Sequence, residues 1–377
     1  MPTPTATIAV CNSSGRQAAS FIRVASAVGY NVRAQLRNLD GIVASEISSL
    51  PNVTVFVGDL YLKSGVVNEN LIADLFHGAD LAFINTTFWG DEVAIGKALA
   101  DAAVTANIKH YIYSTMPNHS KINPEWPAIP LWSAKHDVET YIRSLPSLAP
   151  RTTFLYTGIY NNNFTSLPYP LFCMELQEDG SFLWEAPFHP DIPLPWLDAE
   201  HDVGPAVLQL IKDGNKWAGQ KIALAYEMLS PTEACAAFSK GVRRTVRYRQ
   251  TPKIGVKVKI PTGYRDQLSA LEKLYSFGGK DGKNQPPYFG STEFEKSCPE
   301  EALALWEGYR GLEEYAKEVF PLEEAANGLK WMEEEDLADV KESTLEDDDD
   351  YSDTESEGLT IGGGTDTPAR KEETWLA

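Results

Sequence analysis

The chain opens with an apolar, largely β-branched run from Thr7 to Cys11 that reads as a buried strand. A turn of small residues follows, and from Gly15 the apolar positions switch to helical spacing: Ala18, Ala19, Phe21, Ile22, Ala25 and Val28. The same alternation recurs downstream. Strands are predicted over residues 31–37, 53–57, 81–84, 110–114 and 152–157, with helical spacing over 40–49, 71–76 and 92–106. Alternating strands and helices at this spacing predict an α/β protein with a Rossmann-type, doubly wound parallel sheet.

From Phe164 the composition turns to Pro, Tyr, Trp and short apolar runs, which marks a smaller α+β lobe. Within it Asp202 is expected to cap a helix over 203–212, and 221–224 reads as a strand returning to the sheet edge. Ser230-Pro-Thr-Glu233 is a helix start, 246–250 a half-exposed strand, and a helix runs from Tyr264 to about 275. A polar loop over 278–287 precedes one long amphipathic helix over 299–320, striped with Leu303, Leu305, Trp306, Tyr309, Leu312, Tyr315 and Val319. Leu329 and Trp331 look like the last packing residues. Three parts are therefore expected: a dinucleotide-binding domain over 1–157, a smaller partner-binding lobe over 158–332, and a disordered acidic tail over 333–377.

Charge sharpens this picture. The chain of 377 residues carries a net charge of −20; residues 333–377 hold 17 acids and 3 bases, or −14, which leaves −6 for the rest. An acidic surface repels phosphate backbones, so direct DNA binding is not expected and a basic protein partner is favoured. Within the tail, Ser352, Thr354 and Ser356 lie among acids and suit acidophilic kinases. No run of about 18 apolar residues occurs, so no membrane span is expected. The four cysteines (Cys11, Cys173, Cys235, Cys298) are isolated, which argues against a metal site or a disulfide framework and suits a reducing, intracellular setting.

The opening strand, turn and helix carry the first candidate site. In a G-x-x-G-x-x-G pattern only the middle glycine survives, as Gly15, with Asn12 and Ala18 at the outer positions. Asn tolerates a positive φ, Ala still permits close helix–strand packing, and the helix N-terminus offers amides and a positive dipole end to a pyrophosphate. Arg37, at the end of the second strand, is placed to accept the 2′-phosphate of NADP, or is simply a solvated arginine. Asn85, Thr86 and Thr87 follow the fourth strand at the carboxyl edge, where small hydroxyl and amide groups suit ribose hydroxyls or cap the loop.

Asn12-Ser-Ser-Gly-Arg-Gln-Ala18, Ala82-Phe-Ile-Asn-Thr-Thr87, the segment Gly158 to Pro170 and the segment Asp191 to Gly204 together resemble the NmrA-like family. This is a branch of atypical short-chain dehydrogenases/reductases headed by a fungal regulator of nitrogen metabolite repression, and the likeness extends over about residues 5–332. It implies NAD and NADP as cofactors, with Asn12, Ser14, Gly15, Arg16, Gln17, Arg37 and Thr87 toward the phosphates and ribose. It also implies that Tyr156, Gly158, Tyr160 and Asn161 line the nicotinamide side.

Short-chain reductases place a Ser or Thr at the end of the fifth strand and Tyr-x-x-x-Lys on the next helix, the lysine lowering the tyrosine pKa for proton transfer. Here Ser114 and Lys135 are present, but Leu131 stands at the tyrosine position and has no proton to give. Tyr-dependent hydride transfer is disfavoured, and no catalytic residue is assigned. Lys135 is expected to touch the cofactor ribose or to form an ion pair. His119 and His136 lack a carboxylate and nucleophile at fixed offset, so no triad is read from them.

Three functions stay open. The first is a non-enzymatic co-repressor; for it the resemblance implies a GATA-type zinc-finger transcription factor as partner, a preference for oxidised dinucleotides, and work in the nucleus and cytoplasm. Asp191 and Glu200 are candidate contacts for that basic finger. The second is an NADP-dependent reductase acting through Lys135. The third is a scaffold that no longer binds a dinucleotide.

Overall fold

The computed structural model describes residues 6–87, 90–164, 171–255, 262–279 and 281–327. The expectations for residues 165–170, for Leu329 and Trp331, and for the acidic tail with Ser352, Thr354 and Ser356 lie outside the described residues.

The first half alternates as the apolar pattern requires: β1 (Thr7–Val10), α1 (Arg16–Ala27), β2 (Asn31–Leu36), α2 (Ile42–Ser49), β3 (Val53–Val57), α3 (Glu69–Phe76), β4 (Leu81–Ile84), α4 (Glu92–Thr105), β5 (His110–Thr115), α5 (His119–Ile122), α6 (Pro130–Ser144) and β6 (Thr152–Thr157). The second half continues with β7 (Ile159–Tyr160), β8 (Glu175–Leu176), β9 (Phe182–Ala186), β10 (Leu194–Leu197), α7 (Val203–Lys212), α8 (Gly214–Trp217), β11 (Lys221–Leu224), β12 (Glu227–Leu229), α9 (Pro231–Val242), β13 (Val246–Gln250) and α10 (Thr262–Tyr275). Four short helices close it: α11 (Thr292–Glu295), α12 (Glu300–Leu303), α13 (Leu312–Glu318) and α14 (Phe320–Asn327).

Among the described residues, seven strands form one sheet in the order β11-β6-β5-β4-β1-β2-β3, and every pairing in it is parallel. The order reverses between β1 and β4, which opens a crevice at their carboxyl ends. Every residue of β5 and β6 is buried, as expected for central strands covered on both faces. On one face Phe21 and Ile22 of α1 meet Val203 and Val207 of α7. On the other, Leu75, Leu99, Val138 and Ile142 from α3, α4 and α6 build a second layer. The α1–α7 contact depends on Gly204, because a Cβ there would stand 2.4 Å from the Ser20 carbonyl oxygen.

Among its described residues the smaller lobe holds two three-stranded sheets, β12-β10-β7 and β13-β9-β8. Its core is aromatic: Phe164 stacks on Trp196 with centroids 5.2 Å apart, and Trp184 packs edge-on against Phe164 at 5.0 Å. Both indole N–H groups are satisfied, Trp184 donating to the Leu171 carbonyl at 2.8 Å and Trp196 to the Leu229 carbonyl at 2.9 Å. The Ser230 helix start forms a capping box, in which the Ser230 hydroxyl accepts from the Glu233 amide at 3.3 Å and the Glu233 carboxylate accepts from the Ser230 amide at 2.8 Å.

Two expectations are corrected. Residues 299–320 do not form one helix: α12 ends at Leu303, and α13 begins only after Gly311. Gly308 and Gly311 weaken helix propagation between them, and the stretch is held in a non-helical course when the Arg310 amide donates to Asp202 Oδ1 at 3.0 Å. Asp202, in turn, stands at the start of α7 without capping it. Its other carboxylate oxygen accepts from the Asp198 amide at 3.0 Å, so both oxygens hold the loop rather than the helix.

Candidate dinucleotide site

The carboxyl end of β1 delivers Asn12 in the left-handed region, at φ 51°. Its amide donates to Gln35 Oε1 at 3.0 Å, while Gln35 Nε2 donates to the Gly58 carbonyl at 2.9 Å and the Ser13 amide donates to the Gln35 carbonyl at 3.0 Å. A buried glutamine thus fastens the turn to β2 and to the residue after β3. Sequence reading missed Gln35; its one signal was an amide amid the apolar residues of β2. Gly15 is extended, at φ −67° and ψ 151°, and α1 starts at Arg16 with no side chain capping its first turn. The positive end of the helix therefore faces the crevice.

The segment after β6 approaches this turn. Gln17 Nε2 donates to the Tyr160 hydroxyl, and Arg16 Nη1 donates to Asn163 Oδ1 at 3.1 Å. Arg16 Nε also meets Glu200 Oε1 at 3.3 Å. Gly158 lets the chain pass beneath β10, since a Cβ there would lie 2.7 Å from the Pro195 carbonyl oxygen. Burial pushes the Tyr160 hydroxyl pKa up.

After β4, Asn85 and Thr86 are buried against helices α4 and α6. Lys135 Nζ donates to the Thr86 carbonyl, to Asn85 Oδ1 at 3.3 Å and to Glu92 Oε1 at 3.0 Å. The Thr86 hydroxyl donates to the same Glu92 oxygen at 2.7 Å and lies 3.1 Å from the Tyr113 hydroxyl. Lys135 is thus fixed by a buried acid that sequence reading missed. Glu92 reads as an ordinary acid in a first helical turn, and nothing local marks it as the partner of a residue 43 positions away.

A cleft of about 860 Å³, part of it open to solvent, runs between the sheet edge and the lobe. Gln17, Ser114, Leu131, Lys135, Gly158 and Tyr160 line it together with Asn163, Met116, Trp132, Phe172, Phe188 and Gln267. Sequence reading did not single out these last six. Leu131, at the tyrosine position, presents an alkyl side chain there, and its amide donates to Gln267 Oε1 at 3.1 Å. Tyr156 is a correction: it points to the other face, where its hydroxyl donates to Glu139 Oε2 at 2.6 Å and its ring packs edge-on against Phe294 at 5.2 Å. The alternation along β6 reserves that face for α6. Ser14, Arg37 and Thr87 stand in or beside the crevice loops but do not line the cleft, and Arg37 follows the last residue of β2 directly. His119 is buried, with Nε2 2.8 Å from the Pro287 carbonyl and its ring against Trp132; His136 has a half-buried imidazole.

Whether a dinucleotide fits this edge can be judged from polar atoms the protein leaves unmet. Asn12 Nδ2, Gln17 Oε1, Asn85 Nδ2, Thr115 Oγ1 and Asn161 Oδ1 are buried without a hydrogen-bond partner. They lie beside the carboxyl ends of β1, β4, β5 and β7 and in the first turn of α1. Unmet buried polar groups are costly, and five of the thirteen such side-chain atoms among the described residues gather along this edge, where a polar ligand would meet them. The residues present fit a dinucleotide. Among the described residues, by contrast, no group of three or more His, Cys, Asp or Glu side chains could hold a metal ion. Likewise no helix among them is long and apolar enough to cross a membrane.

This sheet order, with a tight turn leading from β1 into α1 at the crevice, defines a Rossmann-type fold. The chain belongs to the NmrA-like family, whose pattern matches residues 4–316. It is 62% identical to the nitrogen metabolite repression protein nmr of Neurospora crassa, over 89% of this chain and 72% of that protein. Identity to the nitrogen metabolite repression protein nmrA of Emericella nidulans is 53%, over 86% of this chain and 98% of that protein. Crystal structures of NmrA, a negative transcriptional regulator, in complex with NAD and with NADP superpose with a TM-score of 0.79 at 57% identity, covering 87% of this chain and 99% of each of those chains.

Proposed function

We propose that this chain is a negative regulator of nitrogen-metabolism transcription that binds NAD and NADP and acts by protein contact with a GATA-type zinc-finger factor, without catalysing a reaction. The observation that carries the non-catalytic reading is the state of the reductase machinery. Leu131 offers no proton, and Lys135 is neutralised by Glu92 and occupied by the Thr86 carbonyl. The dinucleotide reading is supported by the five unmet polar atoms at the crevice and by relatives whose structures hold NAD and NADP.

In this reading the α1 amides and Arg16 meet the pyrophosphate, and Asn12 Nδ2 and Gln17 Oε1 take up the neighbouring polar groups. Arg37 accommodates the 2′-phosphate of NADP, with Ser14 beside it. Asn85 and Thr87 face the ribose side, while the Thr86 hydroxyl is taken up by Glu92. Ser114, Gly158, Tyr160 and Asn161 border the nicotinamide end, and Lys135 fixes the β4 loop rather than moving a proton. When bound, the dinucleotide would supply an oxidised or reduced ring whose state can be read, with the oxidised form preferred.

The partner is matched by charge. The net charge of −20 and the acids Asp191 and Glu200 suit a basic finger, in the nucleus as well as the cytoplasm. The test is binding of the full chain to a purified GATA-type zinc finger, expected to weaken steeply with salt. No binding at low salt would contradict the partner. Steady NADPH consumption with a carbonyl or ene substrate would instead establish a reductase.

A further inference from the structure

Arg16 sits at the first position of α1, where a cation is unfavourably placed against the helix dipole and where a dinucleotide would present its phosphates. It is not left to them. Its Nε meets Glu200 at 3.3 Å and its Nη1 donates to Asn163 at 3.1 Å, with the side chains of Arg16 and Glu200 only 19% and 30% exposed. Glu200 is itself held, because its amide donates to Asp198 Oδ1 at 3.0 Å. Asp198 and Asp202 are buried and grip Arg310, so the loop that carries Glu200 is anchored from behind. Arg23, two turns further along α1, is bound by Glu46 through two bonds of 2.7 and 2.6 Å, and Glu200 also acts on it through its field.

We infer that Glu200 is a positioning residue that holds Arg16 away from the dinucleotide phosphates, so that the lobe sets how tightly the cofactor binds. This rests on the dinucleotide reading above. The anion must draw the guanidinium off Glu200, and a partly exposed ion pair is worth only a few-fold in an equilibrium, so the restraint is small and adjustable. Coupling of this kind is reciprocal. A cationic surface that engages the Glu200 carboxylate releases Arg16 and raises dinucleotide affinity, and a bound dinucleotide leaves Glu200 more available to that surface.

The test is calorimetric titration of the full chain with NADP, first unsubstituted and then as Glu200→Gln and Glu200→Asp. Asp keeps the charge but is one methylene too short to reach Arg16 from the anchored loop. The inference predicts that both variants bind NADP about two- to fivefold more tightly, at unchanged melting temperature. Tightening in the Gln variant alone would mean that only the field of the carboxylate matters, and would overturn it. Weaker or unchanged binding in both would overturn it as well. If the unsubstituted chain binds no dinucleotide, the failure lies in the cofactor reading itself, and it is seen before any variant is made.

Discussion

Lys135 Nζ and Glu92 Oε1 stand 3.0 Å apart in an ion pair whose side chains are 8% and 5% exposed. It joins α6 to the first turn of α4 at the point where β4 ends. The lysine that a reductase would aim at its tyrosine is instead a clamp between two helices.

Removing one member of such a pair leaves a buried charge unmet. Lys135→Met is expected to destabilise the fold by about 3–5 kcal/mol, and the double variant Lys135→Met/Glu92→Gln to recover a large part of that loss. Denaturant unfolding of the two variants checks this. A Lys135→Met protein as stable as the parent contradicts the clamp.

Leu131 allows a gain-of-function test. Leu131→Tyr restores the hydroxyl four residues before Lys135, but Glu92 quenches the field that would lower its pKa. The tyrosine is expected to titrate near the ordinary value of about 10 and to support no NADPH oxidation across a panel of small carbonyls. Absorbance titration of the phenolate and an NADPH assay give the two readouts.

Asn12 holds a left-handed conformation at φ 51°. Asn12→Ala is expected to lose about 1 kcal/mol of stability, because alanine keeps the Cβ but lacks the amide that eases asparagine into this region, while Asn12→Gly has no Cβ and keeps it. Both lose the Nδ2 group and should bind dinucleotide more weakly. Thermal melts of the pair separate the two roles, and equal melting temperatures contradict the backbone constraint.

These residues also mark how much of the fold and the site is legible in the amino-acid sequence alone. The strand, turn and helix around Gly15, the central strands and the Ser230 capping box were legible, because each is set by local periodicity or by a side chain bonding within a few residues. The break within 299–320 was not. The apolar stripe continues across it in register, and what holds the loop is a carboxylate 108 residues away. Asp202 was misread for the same reason: an acid before a helix looks like a cap, whereas its partners come from another part of the chain. In the site, Asn12, Gln17 and Lys135 were visible as residues, but Gln35 and Glu92, which fix two of them, were not. The direction of Tyr156 depends on which face of β6 meets α6, and a strand buried along its whole length does not reveal that.

His110 gives the pH dependence. Burial at the start of β5 holds its imidazole pKa down from 6.5 to about 4, with Nε2 2.8 Å from the Thr153 hydroxyl. The folded state therefore resists protonation that the unfolded chain accepts. Stability attributable to this residue is complete above about pH 6.5 and falls as the pH drops from 6.5 toward 4, at up to about 1.4 kcal/mol per pH unit. His110→Gln should flatten the acid limb of a stability–pH curve across that window. An unchanged limb contradicts the assignment.

The most direct test of the whole account is calorimetric titration of the purified chain with NAD, NADH, NADP and NADPH in separate experiments. A dinucleotide-reading regulator predicts clear one-site binding of NAD and NADP, with the reduced forms weaker by at least tenfold. Tight NADPH binding would contradict it and point back to a reductase, and no heat from any of the four would leave a fold that has kept the crevice but not its ligand.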